Sequence, residues 1–177
     1  MKKNLVLTGM MGVGKSTIGK NLAKELKLKF SDIDKIIEKN EKCSIKEIFD
    51  NKGEIYFRKL EKKVTLEELE KDDLVIALGG GAFVNKTIRK KVKNSSITFW
   101  LDLSVKSILS RLKNVKKRPL LNQDNLEETM NRIYSERKKF YNESTFRIKC
   151  NSMSIKKVIN KIKKLYESSR DKSKKFK

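Results

Sequence analysis

Short runs of apolar and β-branched residues recur at positions 5–7, 74–77, 97–101 and 146–148, separated by longer segments whose apolar positions return every three or four residues. A run with no polar alternation is the pattern of a strand buried on both faces. Its alternation with helical periods predicts a parallel sheet in an α/β domain. A shorter run near Lys29-Phe30 adds a fifth strand. Ile18, Leu22, Ala23 and Leu26 set a helix behind the first strand, Ser44-Ile45-Lys46-Glu47 is a capping box opening another through Ile48, and Ser104 precedes a third over 105–112. Pro119, the only proline, lies in the polar stretch 111–124, which reads as a mobile loop between two helices.

The junction between the first strand and its helix is Gly9-Met10-Met11-Gly12-Val13-Gly14-Lys15-Ser16-Thr17, the phosphate-binding spacing G-x-x-x-x-G-K-[ST] in its proper setting. Triphosphate oxygens need converging backbone N–H donors and a close approach that glycines permit, here Gly12 and Gly14. Lys15 is placed to reach the β- and γ-phosphates and the Ser16 hydroxyl to ligate the Mg²⁺ that bridges them. The helix N-terminus lies beneath.

Composition narrows the setting. At 177 residues the chain is sized for one domain, and no apolar run reaches membrane-span length or resembles a signal peptide, so a cytoplasmic protein is expected. Cys43 and Cys150 have no metal-ligand spacing and read as two unpaired thiols. With no histidine, any general base must be a carboxylate or lysine. A net charge of +22 favours anionic ligands. Ten basic residues fall between Met153 and Lys177 against two acidic ones, but the lysine excess is spread over the whole chain, so no specific nucleic-acid partner is expected. The end of the chain, 168–177, reads as a basic, poorly ordered tail.

Three further constellations carry chemistry. Ser31-Asp32-Ile33-Asp34 follows the presumed second strand, so both carboxylates fall at the carboxyl edge of the sheet, where open α/β folds bind ligands. Asp32 is suited to the Mg²⁺ shell and Asp34 to accepting a proton from an attacking hydroxyl, although an aspartate here also serves as a helix cap. Gly79-Gly80-Gly81 follows the third strand and either exposes N–H groups to a ligand or makes a tight turn. Arg58 and Arg137 are candidate carboxylate clamps. Arg118, in a loop with five cations in eight residues, is a candidate for the transferring phosphoryl group.

In this order and spacing the motifs resemble the shikimate kinases, a branch of the nucleoside-monophosphate-kinase-like P-loop enzymes. The likeness spans roughly residues 4 to 150 and rests on Gly9 to Thr17, Asp32-Ile33-Asp34 with Ile37-Glu38, Gly53-Glu54 with Phe57-Arg58 and Glu61, Gly79-Gly80-Gly81, Arg118-Pro119-Leu120-Leu121, and Arg137 with Tyr141. It implies a three-layer α/β/α fold with a five-stranded parallel sheet in the order 2-3-1-4-5, a substrate-binding helical region about 32–62 and a lid about 112–125, all in one domain, 1–167. It implies ATP-dependent phosphorylation of the 3-hydroxyl of shikimate, giving shikimate 3-phosphate and ADP on the route to chorismate and aromatic amino acids. By matched position, Asp34, Arg58, Gly80, Gly81 and Arg137 hold shikimate, and Glu61 orients Arg58. Gly12, Val13, Gly14, Lys15, Ser16, Thr17, Arg111 and Arg118 hold ATP, and Ser16 with Asp32 holds Mg²⁺. Lys15, Asp34 and Arg118 are the catalytic set, in a monomer whose partners are shikimate and ATP. The chain departs from the family at Asn151-Ser152-Met153-Ser154, which lacks the arginine many members place near adenine. The alternatives are a kinase for gluconate or a nucleoside monophosphate on the same fold, or a nucleic-acid-binding P-loop ATPase.

Overall fold

A computed structural model describes residues 4–111 and 125–174. Five strands form one parallel sheet: β1 (Asn4–Thr8), β2 (Lys29–Asp32), β3 (Leu74–Ala77), β4 (Ser96–Asp102) and β5 (Phe146–Lys149), in the order β2-β3-β1-β4-β5. The three central strands are buried along their whole length, which is why their sequences carry no polar alternation. The edge strands are shorter and partly exposed. The register sets Leu7 and Asp32 level with Ala77 on neighbouring strands. The three segments that follow β1, β2 and β3 therefore leave the sheet side by side at its carboxyl edge.

Helices cover the sheet on both faces. α1 (Lys15–Leu26) buries Ile18, Leu22 and Ala23 and packs on α7 (Ile155–Lys174), which buries Val158, Ile159, Ile162 and Tyr166. α3 (Ile45–Leu69) packs against α2 (Ile33–Glu41) and α4 (Lys86–Ser95). Its capping box is present as predicted: Glu47 N–H donates to Ser44 Oγ at 3.2 Å, and Ser44 N–H donates to Glu47 Oε2 at 2.7 Å. Inside α3, Gly53 adopts φ 78°, ψ 168° and kinks the helix, a break the periodicity did not announce. α5 (Val105–Arg111) precedes α6 (Leu126–Tyr141), and a 3₁₀ turn (Ala82–Val84) follows the triple glycine.

Two expectations meet the structure differently. The lid and Arg118 lie outside the described residues, as does Leu112, so the helix expected over 105–112 is described only to Arg111. The chain does not lose helical form at Ser168. α7 continues to Lys174, because buried Tyr166 anchors its later turns and Ser169 Oγ donates back to the Leu165 carbonyl at 2.7 Å. Cys43 and Cys150 are both free thiols. No helix among the described residues is long and apolar enough to cross a membrane.

Candidate active site

β1 delivers the chain into the glycine-rich loop, and Gly14 sits at φ 98°, ψ 21° as the cap of α1, a left-handed conformation that costs any residue with a Cβ. The turn lets α1 start at Lys15 with its N–H groups facing the loop. Lys15 Nζ donates to the carbonyls of Gly9 at 2.8 Å and Met10 at 2.9 Å, so the ammonium lies across its own loop. Ser16 Oγ donates to Asp32 Oδ2 at 2.5 Å. The other oxygen of Asp32 accepts from Lys35 N–H at 3.3 Å and caps α2. Asp32 is thus both a helix cap and a partner of the P-loop, one oxygen for each role.

Asp34, one half-turn along α2, points to the glycine turn after β3. The turn closes with Ala82 N–H on the Gly79 carbonyl at 3.1 Å, so it is a tight turn as well as a lining segment. A Cβ at Gly79 would come within 2.7 Å of Asp34 Oδ1 and nearer still to Glu61 Oε1, and one at Gly81 would sit 2.5 Å from Arg58 Nη1. These glycines are required by what approaches them.

The kinked half of α3 supplies that approach. Arg58 Nη1 donates to Glu61 Oε2 at 2.6 Å, while its Nε and Nη2 donate to Glu54 Oε1 at 3.1 and 3.0 Å. The guanidinium lies over Phe57, 5.1 Å from the ring centre. Arg137, on α6, brings its guanidinium beside Gly80, and four residues on, the Tyr141 hydroxyl donates to the Gly80 carbonyl. Burial pushes the Asp34 carboxyl above its ordinary range against the pull of Lys15. Burial likewise raises Glu61 against Arg58, and it pushes the Tyr141 phenol up to about 12, which keeps that donor protonated. Asp34 Oδ1, Glu61 Oε1 and Arg137 Nη1 are all buried, and no protein group satisfies any of them.

The resulting space runs along the carboxyl edge. A cleft of about 330 Å³ lies between Lys15, Ser16 and Thr17 on one side and Asp32, Asp34 and Gly80 on the other. Toward α7 it meets a cleft of about 450 Å³ walled by Gly12, Val13, Gly14, Cys150, Met153 and Ile155, with Arg111 shared between the two. Toward α3 a cleft of about 480 Å³ is lined by Arg58, Glu61, Gly81 and Arg137. Every predicted site residue within the described range therefore lines one of three neighbouring clefts, with the phosphate loop in the middle one and the acceptor-side cleft meeting it at the adjacent glycines Gly80 and Gly81. The apolar wall from Met153, Ile155 and Val158 escaped sequence reading, because an amphipathic helix does not say which edge of its apolar face meets a cleft. Glu54 entered only as part of a motif, though its spacing to Arg58 is that of a helical ion pair.

Comparison with known proteins agrees with this geometry. The family model described as shikimate kinase matches residues 11–167. A shikimate kinase from Sulfurihydrogenibium sp. (strain YO3AOP1) is 42% identical over 166 residues, covering 92% of this chain and 99% of that protein. One from Persephonella marina is 39% identical over 160 residues, covering 90% and 96%. Among solved structures, a shikimate kinase from Acinetobacter baumannii in complex with shikimate superposes with a TM-score of 0.91 at 33% identity, covering 96% of this chain and 95% of that one.

Proposed function

The chain belongs to the shikimate kinase family, and from that premise we propose that its channel moves the γ-phosphoryl group of ATP to the 3-hydroxyl of shikimate, with the P-loop holding the donor and the glycine turn, α3 and α6 holding the acceptor. One observation carries the reading. Asp34, Glu61 and Arg137 converge on one turn with buried polar atoms that the protein leaves unsatisfied, beside an Arg58 already braced by two carboxylates. A polyhydroxylated carboxylic acid offers what they lack: a carboxylate for the guanidinium groups and hydroxyls for the acidic side chains.

In this reading Arg58 and Arg137 take the acceptor's carboxylate, and Glu61 keeps Arg58 in its rotamer. Asp34 accepts the hydrogen bond of the attacking hydroxyl and takes its proton as the new O–P bond forms and the bond from phosphorus to the leaving oxygen of ADP breaks. Burial, by raising the Asp34 carboxyl, makes it a stronger base for that task. Lys15 turns from the loop carbonyls to the β- and γ-phosphate oxygens, replacing neutral acceptors with charged ones. Arg111 sits between the phosphate and base clefts, positioned to follow the nucleotide. Arg118, assigned through the family resemblance, completes the set from outside the described residues.

Ser16 and Asp32 present two hard oxygens 2.5 Å apart beside the phosphate loop, the donor type Mg²⁺ takes when substrate phosphates fill the rest of its shell. Bound there, the ion supplies charge neutralisation for the β- and γ-phosphates. The remaining catalytic work is placement, since phosphoryl transfer asks the protein chiefly for alignment and a preorganised field.

The test is a coupled assay of ADP release with ATP and Mg²⁺, comparing shikimate, gluconate, nucleoside monophosphates and single-stranded nucleic acid as acceptor or activator. Release that requires shikimate is the expected result. Release with a nucleoside monophosphate alone would leave the kinase reading standing and remove the Arg58 and Arg137 assignment, whereas release with gluconate alone would keep the carboxylate clamp and change the acceptor. The reading takes the protein as a cytoplasmic monomer, the oligomeric part of which light scattering after gel filtration checks.

A further inference from the structure

We propose that Arg89 is a positioning residue for the acceptor half of the channel, fixing the spacing between the glycine turn and α6. The inference rests on the reading of that half as the acceptor site. Arg89 stands on α4 and does not line the cleft, yet its guanidinium joins both walls from behind. Its Nη1 donates to the carbonyls of Phe83 at 3.1 Å and Val84 at 2.6 Å, in the 3₁₀ turn that continues from Gly81. Its Nε lies 3.1 Å from Glu143 Oε1, just past α6, and its plane covers the Phe140 ring at 4.5 Å. The side chain is only 13% exposed. Four contacts on two separate segments are more than a surface arginine makes in passing.

The geometry gives those contacts a task. α6 is tied to the glycine turn at the inner end of the cleft by the Tyr141 hydroxyl on the Gly80 carbonyl. Arg89 supplies the outer tie, through Phe140 and Glu143. The earlier turns of α6 are seated by the Tyr134 hydroxyl, which donates to Asp102 Oδ1 at 2.9 Å, and by buried Met130 and Ile133, so Tyr141 and Arg89 govern its last turns, where Arg137 keeps its place across the cleft from Arg58. With the outer tie removed, those last turns shift about Tyr141 and the two guanidinium groups no longer present one carboxylate-sized gap. Displacements of an ångström are enough to weaken such a clamp. Glu143 would not be left uncompensated by the loss, because Lys93 Nζ also donates to its Oε2 at 3.2 Å.

The test compares Arg89→Ala, Arg89→Lys and Glu143→Gln with the wild type, varying shikimate at saturating ATP and ATP at saturating shikimate, with the melting temperature of each variant recorded. Loss of one charge-assisted tie predicts for Arg89→Ala a shikimate KM raised about tenfold, with kcat and the ATP KM within about twofold of wild type. Arg89→Lys keeps one carbonyl bond but not the fork, and its shikimate KM is expected between the two. Should Arg89→Ala fail to fold, Arg89→Lys and Glu143→Gln decide by the same split between the two substrates. An unchanged shikimate KM, or equal changes in both KM values that follow a fall in melting temperature, overturns the proposal. Wild-type protein inactive with shikimate overturns the acceptor reading and this inference with it, whereas active wild type with indifferent variants overturns the inference alone.

Discussion

Replacing Gly81 by alanine adds one methyl group where the backbone, at φ −99° and ψ −16°, suits any residue. Such a change ordinarily stabilises a protein by about 0.4–1 kcal/mol through the unfolded chain. Here the new Cβ would lie 2.5 Å from Arg58 Nη1, 2.7 Å from Nη2 and 2.8 Å from Cζ. Ordinary contact begins at 3.4 Å, so the guanidinium must retreat by 3.4 − 2.5 = 0.9 Å or more. It is not free to do so, being held at 2.6 Å to Glu61 and 3.0 Å to Glu54. A shift of that size breaks the shorter bond or moves Arg58 off the acceptor. Either outcome forfeits one charge-assisted interaction, about 1.5–3 kcal/mol, or a shikimate KM raised roughly 10- to 100-fold. The ATP KM should hold, since the methyl points away from the P-loop. Gly80→Ala brings its Cβ against P-loop backbone, 3.2 Å from Met11 N and 3.8 Å from Met10 C, with Arg137 Nη1 at 3.5 Å, so it should crowd Arg58 not at all and raise the ATP KM instead. Coupled ADP release with each substrate varied in turn measures all of this. A Gly81→Ala enzyme with shikimate KM within twofold of wild type, beside an Arg58→Ala control that loses affinity, would refute the crowding argument.

Lys15→Met should lower kcat by about 10²-fold or more while calorimetry still detects the shikimate site, because the lost charge acts chiefly on the phosphates, its loss at Asp34 only raising that carboxyl further. Ser44→Ala removes the side-chain half of the α3 capping box and should cost about 1 kcal/mol in urea unfolding, with little effect on ATP binding. Burial, with Asp102 adding to it, pushes the Cys150 thiol up to about 11, so its reactive thiolate is scarce at pH 8 and grows as pH rises toward that value. Iodoacetamide at pH 8 should therefore spare Cys150 in the native protein and label it after denaturation. Peptide mapping that finds Cys150 alkylated at pH 8 in the native state would contradict this.

The strands were legible because burial on both faces leaves a mark in composition: Leu5, Val6 and Leu7, or Val75 and Ile76, have no polar neighbour to expose. The P-loop was legible because its chemistry fixes residue types at fixed spacing. Asp32 and Asp34 could be found and given separate tasks, but not the cap, since Asp32 caps α2 with one oxygen while the other meets Ser16 Oγ. Arg89 was invisible for a physical reason. In a chain with 44 basic residues nothing local separates a guanidinium that bridges two segments from one that faces water. The Gly53 kink was hidden likewise, because an isolated glycine within a helical period is also tolerated without a bend.

The strand order also governs how the molecule comes into being. β1 is the earliest of the described strands to be synthesised, yet it lies at the centre of the sheet, and its partners come late: β3, from Leu5–Val75 on, and β4, from Asn4–Ser96 on. Until the ribosome has delivered Val75, the apolar strand that carries the phosphate loop has no neighbour on either side, and until Ser96 it has one on a single side. Folding must wait for contacts distant along the chain, which makes it slow and leaves Leu5, Val6 and Leu7 open to the wrong partner in the interval. The strand most deeply protected in the finished enzyme is the one left unpaired longest while the enzyme is being made.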